Sequence, residues 1–407
     1  MKEYPISDIN LCTGCGACTN VCPHDSIQMI ESKEGFLYPQ INANKCIECH
    51  LCEKRCPVDS INLIEHSEFN KKCFGVIAND EEVRKMSSSG GVFYCLAEKW
   101  LNDGGVVFGV HMNDGLNNAS FFEVDKTSSL SEIIGSKYIQ ANTDFVFRRV
   151  KSLLDDGKKV LFSGVPCQIS GLKNYLSKKY SNLVCVDVIC HGVPSPKLWR
   201  RYLSYLDNKY GHVFRVEFRY KRYSWEDFGI LATNNKHKLL FESKDFNPYL
   251  QMFLNDICLR ESCYHCCFKG LERDSDITLG DFWGSKDYVP QLSDGKGTSI
   301  VLINSKSGEK IFGDIAPYVK FEQVDYQDVF AKHNRALFDS ASRPEGRDTF
   351  FIDLDRLSFR KMAKKYIRVS SKEKLKHYLD RFGVLKVIRL CTRGGVNENG
   401  IAFFFDE

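Results

Sequence analysis

A cysteine pattern written twice in the first sixty residues is the part of this chain best suited to do chemistry. The first copy is Cys12-x2-Cys15-x2-Cys18-x3-Cys22-Pro23, and the second is Cys46-x2-Cys49-x2-Cys52-x3-Cys56-Pro57. Three cysteines spaced two residues apart on a tight loop can direct three thiolates at three irons of one cube. The spacing therefore predicts two [4Fe-4S] clusters, whose chemistry is the transfer of single electrons.

The fourth ligand of each cube must come from elsewhere in the chain. In two-cluster ferredoxins the last cysteine of each run ligates the other cluster. We therefore assign Cys12, Cys15, Cys18 and Cys56 to one cluster, cube I, and Cys46, Cys49, Cys52 and Cys22 to the other, cube II. A zinc ribbon or a disulfide framework is the alternative, but zinc sites use four ligands in two pairs and do not match this repeated run. The apolar runs at 26–30 and 60–64 predict short strands after each proline.

Length and composition limit the class of protein. A chain of 407 residues predicts two or three domains. The first residues form no apolar signal segment and no run of about 18 apolar residues occurs, so we expect no transmembrane segment. Eighteen cysteines in a chain with cluster ligands favour a reducing cytoplasm. A net charge of +4 is too small to indicate nucleic-acid binding.

Three regions follow from the pattern along the chain. Residues 1–70 are predicted to form an α+β ferredoxin-like module, residues 73–350 an α/β domain with a mixed sheet, and residues 351–407 a basic helical arm. Helices alternate with strands through much of the second region, which predicts a largely parallel central sheet. Period-two patterning at 212–241 predicts an antiparallel hairpin or meander, with Phe214, Val216 and Phe218 on one face.

The basic arm is defined by its charge. Between Arg356 and Arg389 there are twelve Lys and Arg residues against only Glu373 and Asp380. Such an arm suits an acidic electron carrier, a phosphorylated substrate or peripheral contact with an anionic membrane face. A solvated helical face explains the same charges equally well.

A loop of small residues precedes an apolar helical pattern in the second region. It reads Ser87, Ser88, Ser89, Gly90 and Gly91. Free backbone N–H groups, hydroxyls and the helix dipole at such a place suit a phosphate. A simple serine cap is the alternative.

A second set of cysteines is scattered over three loops. Cys167 and Cys190 follow predicted strands directly, and Cys263 and Cys266 form a pair two residues apart. Loops that follow parallel strands meet at one sheet edge, so the four thiolates could hold a third cluster. A redox-active disulfide between Cys263 and Cys266 is the alternative. The remaining cysteines are treated as structural: Cys73, Cys95, Cys185, Cys258, Cys267 and Cys391.

The segment 276–284 adds a carboxylate and flat rings to the same edge. Asp281, Phe282 and Trp283 follow a predicted strand. They form either a capped turn over core aromatics or a wall for a planar cofactor.

With these stretches in hand, the chain resembles the coenzyme F-420 hydrogenase/dehydrogenase beta-subunit family, preceded by a two-cluster ferredoxin domain. The matching stretches are 87–91, 135–140, 163–168, 187–194, 263–266 and 276–284. Members of this family are iron–sulfur flavoproteins with FAD beside a cluster, and similar bacterial members occur among enzymes of cell-surface polysaccharide biosynthesis. The resemblance implies that the second region is a flavin domain and that Cys167, Cys190, Cys263 and Cys266 hold the third [4Fe-4S] cluster. It also implies that FAD contacts the Ser87 to Gly91 loop, Lys137, Tyr138, Gly164 and Asp281.

These features predict an oxidoreductase. Electrons from a ferredoxin-type or reduced deazaflavin donor would pass through the clusters to FAD, and then to a small-molecule or glycan-precursor substrate. No Gly-x-Gly-x-x-Gly follows a strand, which argues against direct use of NADH. His191 and Asp281 are candidate proton donors, although no catalytic residue is assigned. The alternative is a non-catalytic electron-transfer subunit that delivers electrons to a partner enzyme.

Overall fold

The computed structural model describes residues 3–60, 69–222 and 224–367. Residues 61–64 of the second predicted strand and most of the predicted basic arm lie outside them. Within these ranges, no helix is long and apolar enough to cross a membrane.

The N-terminal module contains two short helices and one β-hairpin. Its elements are α1 (Ala17–Val21), β1 (Ile27–Glu31), β2 (Leu37–Ile41) and α2 (Leu51–Lys54). β1 and β2 are antiparallel, and β1 confirms the strand predicted after Pro23. α1 begins after Gly16, whose φ of +79° and close approach to the Thr143 side chain require glycine.

A mixed nine-stranded sheet forms the centre of the second region. Its strands are β3 (Lys72–Ala78), β4 (Val106–Met112), β5 (Ala119–Val124), β6 (Ala141–Asn142), β7 (Val160–Gly164), β8 (Leu183–Val188), β12 (Ile277–Asp281), β13 (Ser299–Ile303) and β14 (Val319–Val324). The order is β14-β3-β13-β12-β8-β7-β4-β5-β6. Only β12, β8, β7 and β4 form a continuous parallel run. The prediction of a largely parallel sheet is therefore right for the centre and wrong for the flanks, since short turns such as 113–118 return the chain antiparallel.

Helices cover both faces of this sheet. They are α3 (Glu81–Met86), α4 (Val92–Asn102), α5 (Val146–Asp155), α6 (Pro166–Leu176), α7 (Pro196–Tyr210), α8 (Pro248–Leu254), α9 (Ser285–Tyr288), α10 (Lys306–Ile315), α11 (Tyr326–Lys332), α12 (Arg347–Arg356) and α13 (Phe359–Tyr366). The apolar stripe of α4 packs on the sheet through Leu96, Ala97 and Leu101. The resulting fold is mixed α/β, as predicted.

The predicted antiparallel meander is confirmed as β9 (Val213–Tyr220), β10 (Gly229–Asn234) and β11 (Leu239–Ser243). Its face assignment is wrong at Phe214, which is exposed. Three steps along β9, from Tyr220 to Glu217, oppose two steps along β10, from Gly229 to Leu231, which is a bulge. The bulge breaks the alternation and buries both Phe218 and Arg219.

The N-terminal module shares its core with the rest of the chain. Cys15 and Ala17 belong to one apolar cluster with Phe147 and Leu172. Phe36 is fully buried with its ring centroid 6.3 Å from that of Phe351. The domain boundary predicted between 1–70 and 73–350 stays a prediction. In the structure, the described residues of the two parts share a core.

Four arginines from the larger region bind the module, of which Arg200 pairs with Glu31 at 2.5 Å. Arg347 makes a bidentate ion pair with Glu34, at 2.9 and 2.7 Å. Arg148 donates to backbone carbonyls of the module, including that of Cys22 at 2.8 Å. Arg260 donates from Nε to the Cys12 carbonyl at 2.7 Å. Because removal of the module would take these partners away from the buried Arg260 and Arg347 and the partly exposed Arg148, its function has to be tested in the full chain.

Candidate cluster and cofactor site

The cysteines assigned to cube I lie together around a small cavity. It is lined by Cys12, Cys15, Cys18 and Cys56 with apolar neighbours that include Ile6, Met29 and Val58. Burial raises the pKa of Cys15 to about 12 and that of Cys56 to about 11, and neighbouring thiols contribute to both. With pKa values this high, the thiols become thiolates at neutral pH only when a positive centre stabilises the negative charge. Bound iron would supply that centre. The crossed assignment of Cys56 agrees with this geometry.

The cysteines assigned to cube II are less enclosed. Cys46 and Cys52 are partly buried, and Cys49 is exposed. Burial raises the pKa of Cys52, with the thiol of Cys22 as a neighbouring contribution. The Cys22 Sγ lies 3.0 Å from the Ser26 hydroxyl. The proximity of Cys22 to Cys52 is what the crossed assignment requires, and the ligand roles stay a prediction.

The four scattered cysteines converge on one cavity. Cys167 lies in the first turn of α6 after β7, Cys190 follows β8, and Cys263 and Cys266 lie in and just after the 3-10 turn Glu261–His265. Burial raises the pKa of Cys167 well above its usual range, and the thiols of Cys266, Cys190 and Cys263 raise it further. The tertiary structure thus joins three loops whose cysteines are as much as 99 residues apart in the chain.

The spacing of these thiols is not that of a site for one ion. Among the residues that the structure describes, no group of three or more His, Cys, Asp or Glu side chains could hold a single metal ion. A cube takes one thiolate at each of four irons, so its ligand sulfurs lie farther apart than those around one zinc ion. The other described cysteines do not line this cavity; Cys258 and Cys185 are fully buried in apolar cores, whereas Cys267 is exposed.

The same cavity holds almost all of the predicted cofactor residues. It has a volume of about 860 Å³, in the upper part of the range for ligand pockets. Its lining includes Ser87, Ser88, Ser89, Gly91, Lys137, Tyr138, Gly164 and Asp281. The cavity therefore places the candidate cluster ligands next to the candidate phosphate loop.

Gly90 is the exception and requires a correction. A Cβ at Gly90 would lie 2.3 Å from the Val76 carbonyl oxygen and 2.7 Å from the Ser299 nitrogen. Its own N–H donates to the Ser299 hydroxyl at 2.9 Å. Glycine is needed here because the loop packs on the backbones of β3 and β13, and Gly90 does not line the cavity.

The N-terminus of α4 faces the cavity. Gly91 precedes the helix at a φ of +90°, and Gly91, Val92 and Phe93 all line the cavity. The Ser87 hydroxyl is buried without a hydrogen-bond partner. Ser88 and Ser136 join the two lining loops through their hydroxyls, at 2.8 Å. An unpartnered hydroxyl beside a helix N-terminus fits the diphosphate of a dinucleotide such as FAD.

Lys137 lies on the second lining loop. Its Nζ donates to the carbonyls of Glu132 and Ile134, at 3.1 and 2.9 Å. Burial lowers the pKa of Lys137 to about 7, against a small opposing effect of the Glu132 carboxylate. No carboxylate forms an ion pair with it among the described residues, so an anionic ligand would complete its environment.

Arg219 is a lining residue that the sequence analysis missed. Its side chain is buried and lies 2.9 Å from Asp281, while its Nε donates to the Ser88 carbonyl at 3.1 Å. Trp225 stacks on Trp283 at 4.5 Å and donates to Asp281 at 3.2 Å. Of the two predicted wall aromatics, Trp283 lines the cavity beside Asp281, which Arg219 fixes, whereas Phe282 is fully buried in the core. The sequence gives no signal for Arg219, because the period-two pattern of β9 continues through it and the bulge appears only in the structure.

His191 also lines the cavity. Its Nε2 lies 2.5 Å from the Asp256 carboxylate, and its ring packs edge-on against Phe253 at 5.4 Å. Asp256 therefore fixes the orientation of the His191 ring.

The charge of the cavity is predominantly positive. Asp281 is the only carboxylate among the described lining residues, against the basic side chains of Lys137, Arg219, Lys244, Arg260, Lys269, Arg273, Lys332 and Arg335. Such a lining favours anionic ligands. A dinucleotide and a thiolate-ligated cluster both carry negative charge.

Comparison with known proteins defines the class. Residues 11–60 match the 4Fe-4S dicluster domain, so the chain is an iron–sulfur protein. Residues 157–328 match the C terminus of the beta subunit of coenzyme F420 hydrogenase/dehydrogenase. Residues 157–328 of the chain are therefore similar to this beta-subunit family, and a 4Fe-4S dicluster domain precedes them.

Other comparisons add little. No curated protein matches the chain. Among solved structures, a chain of the xenon-derivatised F420-reducing [NiFe] hydrogenase complex from Methanosarcina barkeri is similar, with 17% identity and a TM-score of 0.43. The match covers 79% of this chain and 97% of that one.

Proposed function

We propose that this chain is an iron–sulfur flavoprotein oxidoreductase. It takes electrons from a ferredoxin-type or reduced deazaflavin donor and passes them through cube II, cube I and the third cluster to FAD. From there they reach a small organic substrate or glycan precursor. The observation that carries the proposal is the single cavity that gathers four cysteines, a helix N-terminus and an aromatic wall. Action in cell-surface polysaccharide biosynthesis rests on family resemblance alone, and a cytoplasmic location rests on the cluster thiolates, which a reducing compartment preserves.

The combination of cofactors has a chemical reason. Clusters move single electrons, whereas most organic reductions need a pair, and bound FAD supplies the conversion between the two. The residues proposed to hold its diphosphate are the Ser87 to Ser89 hydroxyls, the first N–H groups of α4 and Lys137. Arg219 and Asp281 position the aromatic wall beside them.

α6 supports a continuous route between the module and the cavity. Cys167 lies in its first turn, and Gly171 lies one turn further on. A Cβ at Gly171 would be 3.0 Å from the Cys15 Sγ, so the two residues are in close contact. Cube I, rather than cube II, is therefore the proposed neighbour of the third cluster.

One observation favours the alternative of an electron-transfer subunit that serves a partner enzyme. Three lining residues of the cavity, Val188, Leu254 and Trp283, are also among the exposed large apolar side chains of the described chain. An apolar rim of this kind suits a docked protein. Turnover of an organic substrate by the isolated chain would decide against this alternative.

Cofactor analysis tests the proposal directly. Anaerobically purified and reconstituted full chain is expected to contain about twelve iron atoms, by four irons per cube, and one FAD. Its flavin is then exposed in parallel to reduced ferredoxin, reduced deazaflavin and NADH, and we expect reduction by one of the first two. A protein with about eight irons and no flavin would contradict the proposal.

Flavin affinity is expected to depend on Lys137. Protonated Lys137 favours a diphosphate, and its pKa of about 7 means that the cation is lost as the pH rises through 7. Affinity should therefore be greatest below pH 7 and fall by up to about tenfold per pH unit above it, the limit for one linked proton. Titration of the apoprotein with FAD between pH 6 and 9 measures this.

The experiment must distinguish the titration of Lys137 from the titration of its neighbours. Glu132 and His111 are its charged or titratable neighbours. A Lys137→Met variant should bind FAD weakly with no pH dependence over this range. A wild-type pH profile retained in Lys137→Met would assign the titration to another group.

A further inference from the structure

We propose that Lys269 raises the reduction potential of the third cluster above those of cube I and cube II, so that electrons move inward from the module to the cavity. The inference rests on the proposed function, because it concerns the cluster held by Cys167, Cys190, Cys263 and Cys266.

Lys269 lies directly against one of these ligands. Its Nζ donates to the carbonyl of Cys190 and to that of Ala336, each at 2.7 Å. It lines the cavity and makes no ion pair within the described part of the chain. The positive charge of Lys269 is thus held beside Cys190 by two neutral carbonyls, which leave it uncompensated.

The other cations near the third cluster are compensated or shared. Arg273 is buried and lies 3.4 Å from the equally buried carboxylate of Asp187. Arg260 lies between the two cluster sites, since its Nε donates to the Cys12 carbonyl while its charge also acts on Cys263. Lys269 is therefore the cation that most distinguishes the third cluster from cube I.

Hydrogen bonds to sulfur occur at both the third cluster and the module, where the Ser26 N–H donates to the Cys22 Sγ at 3.4 Å, so the contrast rests on charge. The backbone N–H of Val193 donates to the Cys263 Sγ at 3.4 Å. The backbone of Gly192 also donates to the Cys190 thiol, which lowers its pKa against the larger effect of burial. Donors to ligand sulfurs stabilise the more negative, reduced state of a cluster.

The module presents the opposite charge to its cysteines. Carboxylates act on three of them: Asp25 on Cys22, Glu53 on Cys52 and Asp59 on Cys56. Two cations are exceptions: Arg260 donates to the Cys12 carbonyl and is shared with the third cluster, and Arg148 donates to the Cys22 carbonyl but is paired with Asp25 at 2.7 Å. The charges near the cysteines thus change from acidic in the module to basic in the cavity.

The physical effect follows from charge. A cube with four thiolates is already negative, and reduction adds one more electron without making or breaking a bond. A nearby unpaired cation lowers the free energy of the reduced state more than that of the oxidised state, and nearby carboxylates do the reverse. One electron lost by a cube in the module is therefore gained by the third cluster with a favourable change in free energy.

The test is a potentiometric titration of the full-length protein, followed by electron paramagnetic resonance. The signal of the third cluster is identified as the one that Cys190→Ala removes. In Lys269→Gln its midpoint should become more negative, so that the ratio of reduced to oxidised cluster at the wild-type midpoint falls about tenfold, or about 59 mV for one electron. The midpoints of the two other cubes should not change.

Two further variants separate charge from structure. Lys269→Arg keeps the cation and should restore the wild-type midpoint. Lys332→Gln removes a cation from the same cavity that is exposed and paired with Asp328 at 3.2 Å, and should leave the midpoint in place. An unshifted midpoint in Lys269→Gln, or an equal shift in Lys332→Gln, overturns the inference. Absence of a third signal in the wild type overturns the proposed function itself.

Discussion

Replacing Cys190 with alanine is expected to remove about four of about twelve iron atoms, one cube's worth, and to stop flavin reduction by a ferredoxin-type donor. Cys190 lines the cavity together with Cys167, Cys263 and Cys266, so its loss leaves the third cluster with three ligands. The two cubes of the module do not use this residue and should keep their spectra. Iron analysis and stopped-flow measurement of flavin reduction give the result.

Cys185→Ala is the matched control for this experiment. Cys185 lies in β8, five residues before Cys190, but it is fully buried in an apolar cluster and does not line the cavity. Its variant should lose some stability while retaining all of its iron. Cys190→Ala with a full iron content, or with flavin reduced at the wild-type rate, would refute the third cluster as an obligatory relay.

Gly171→Val is expected to eliminate cube I while the third cluster remains. The Cβ of the new valine would lie 3.0 Å from the Cys15 Sγ and 3.1 Å from the Cys15 Cβ, which is closer than side chains normally approach each other. The further methyl groups of valine have no room in this packed core, so Cys15 must move away from its cube. We expect a loss of about four iron atoms and of the cube I signal, with the signal removed by Cys190→Ala still present.

A glycine elsewhere in the fold controls for the effect of valine in a helix. Gly313 lies in α10, where a Cβ would meet no atom within 4 Å. Gly313→Val should therefore keep all three clusters. If Gly171→Val retained cube I with an unchanged spectrum, α6 would not form the contact between the module and the cavity.

Local features of the fold could be predicted from the sequence. The strand after Pro23, the alternation of helices and strands, and the meander at β9 to β11 each follow from a period or a turn signal within a few residues. The flanks of the central sheet could not be predicted, since the partner of a strand is chosen by packing over long distances. The exposed Phe214 and the buried Arg219 show the same limit, because each lies at a register shift between β9 and β10 that changes which face a side chain takes.

The candidate site divides in the same way. The ligand spacing of the N-terminal cysteines is a property of a short loop, so the sequence by itself determined that this is an iron–sulfur protein. The close packing of Gly90 on two strands is invisible in a run of serines and glycines, and its role was assigned wrongly for that reason.

Only the tertiary structure decided that Cys167, Cys190, Cys263 and Cys266 share a cavity with the Ser87 loop. It also placed Lys269 on the Cys190 carbonyl and Gly171 on Cys15. These contacts join residues far apart in the chain and depend on the order of strands in the sheet and on the docking of the module. No local periodicity or residue spacing predicts these contacts, because they arise from the tertiary packing of the helices, strands and loops.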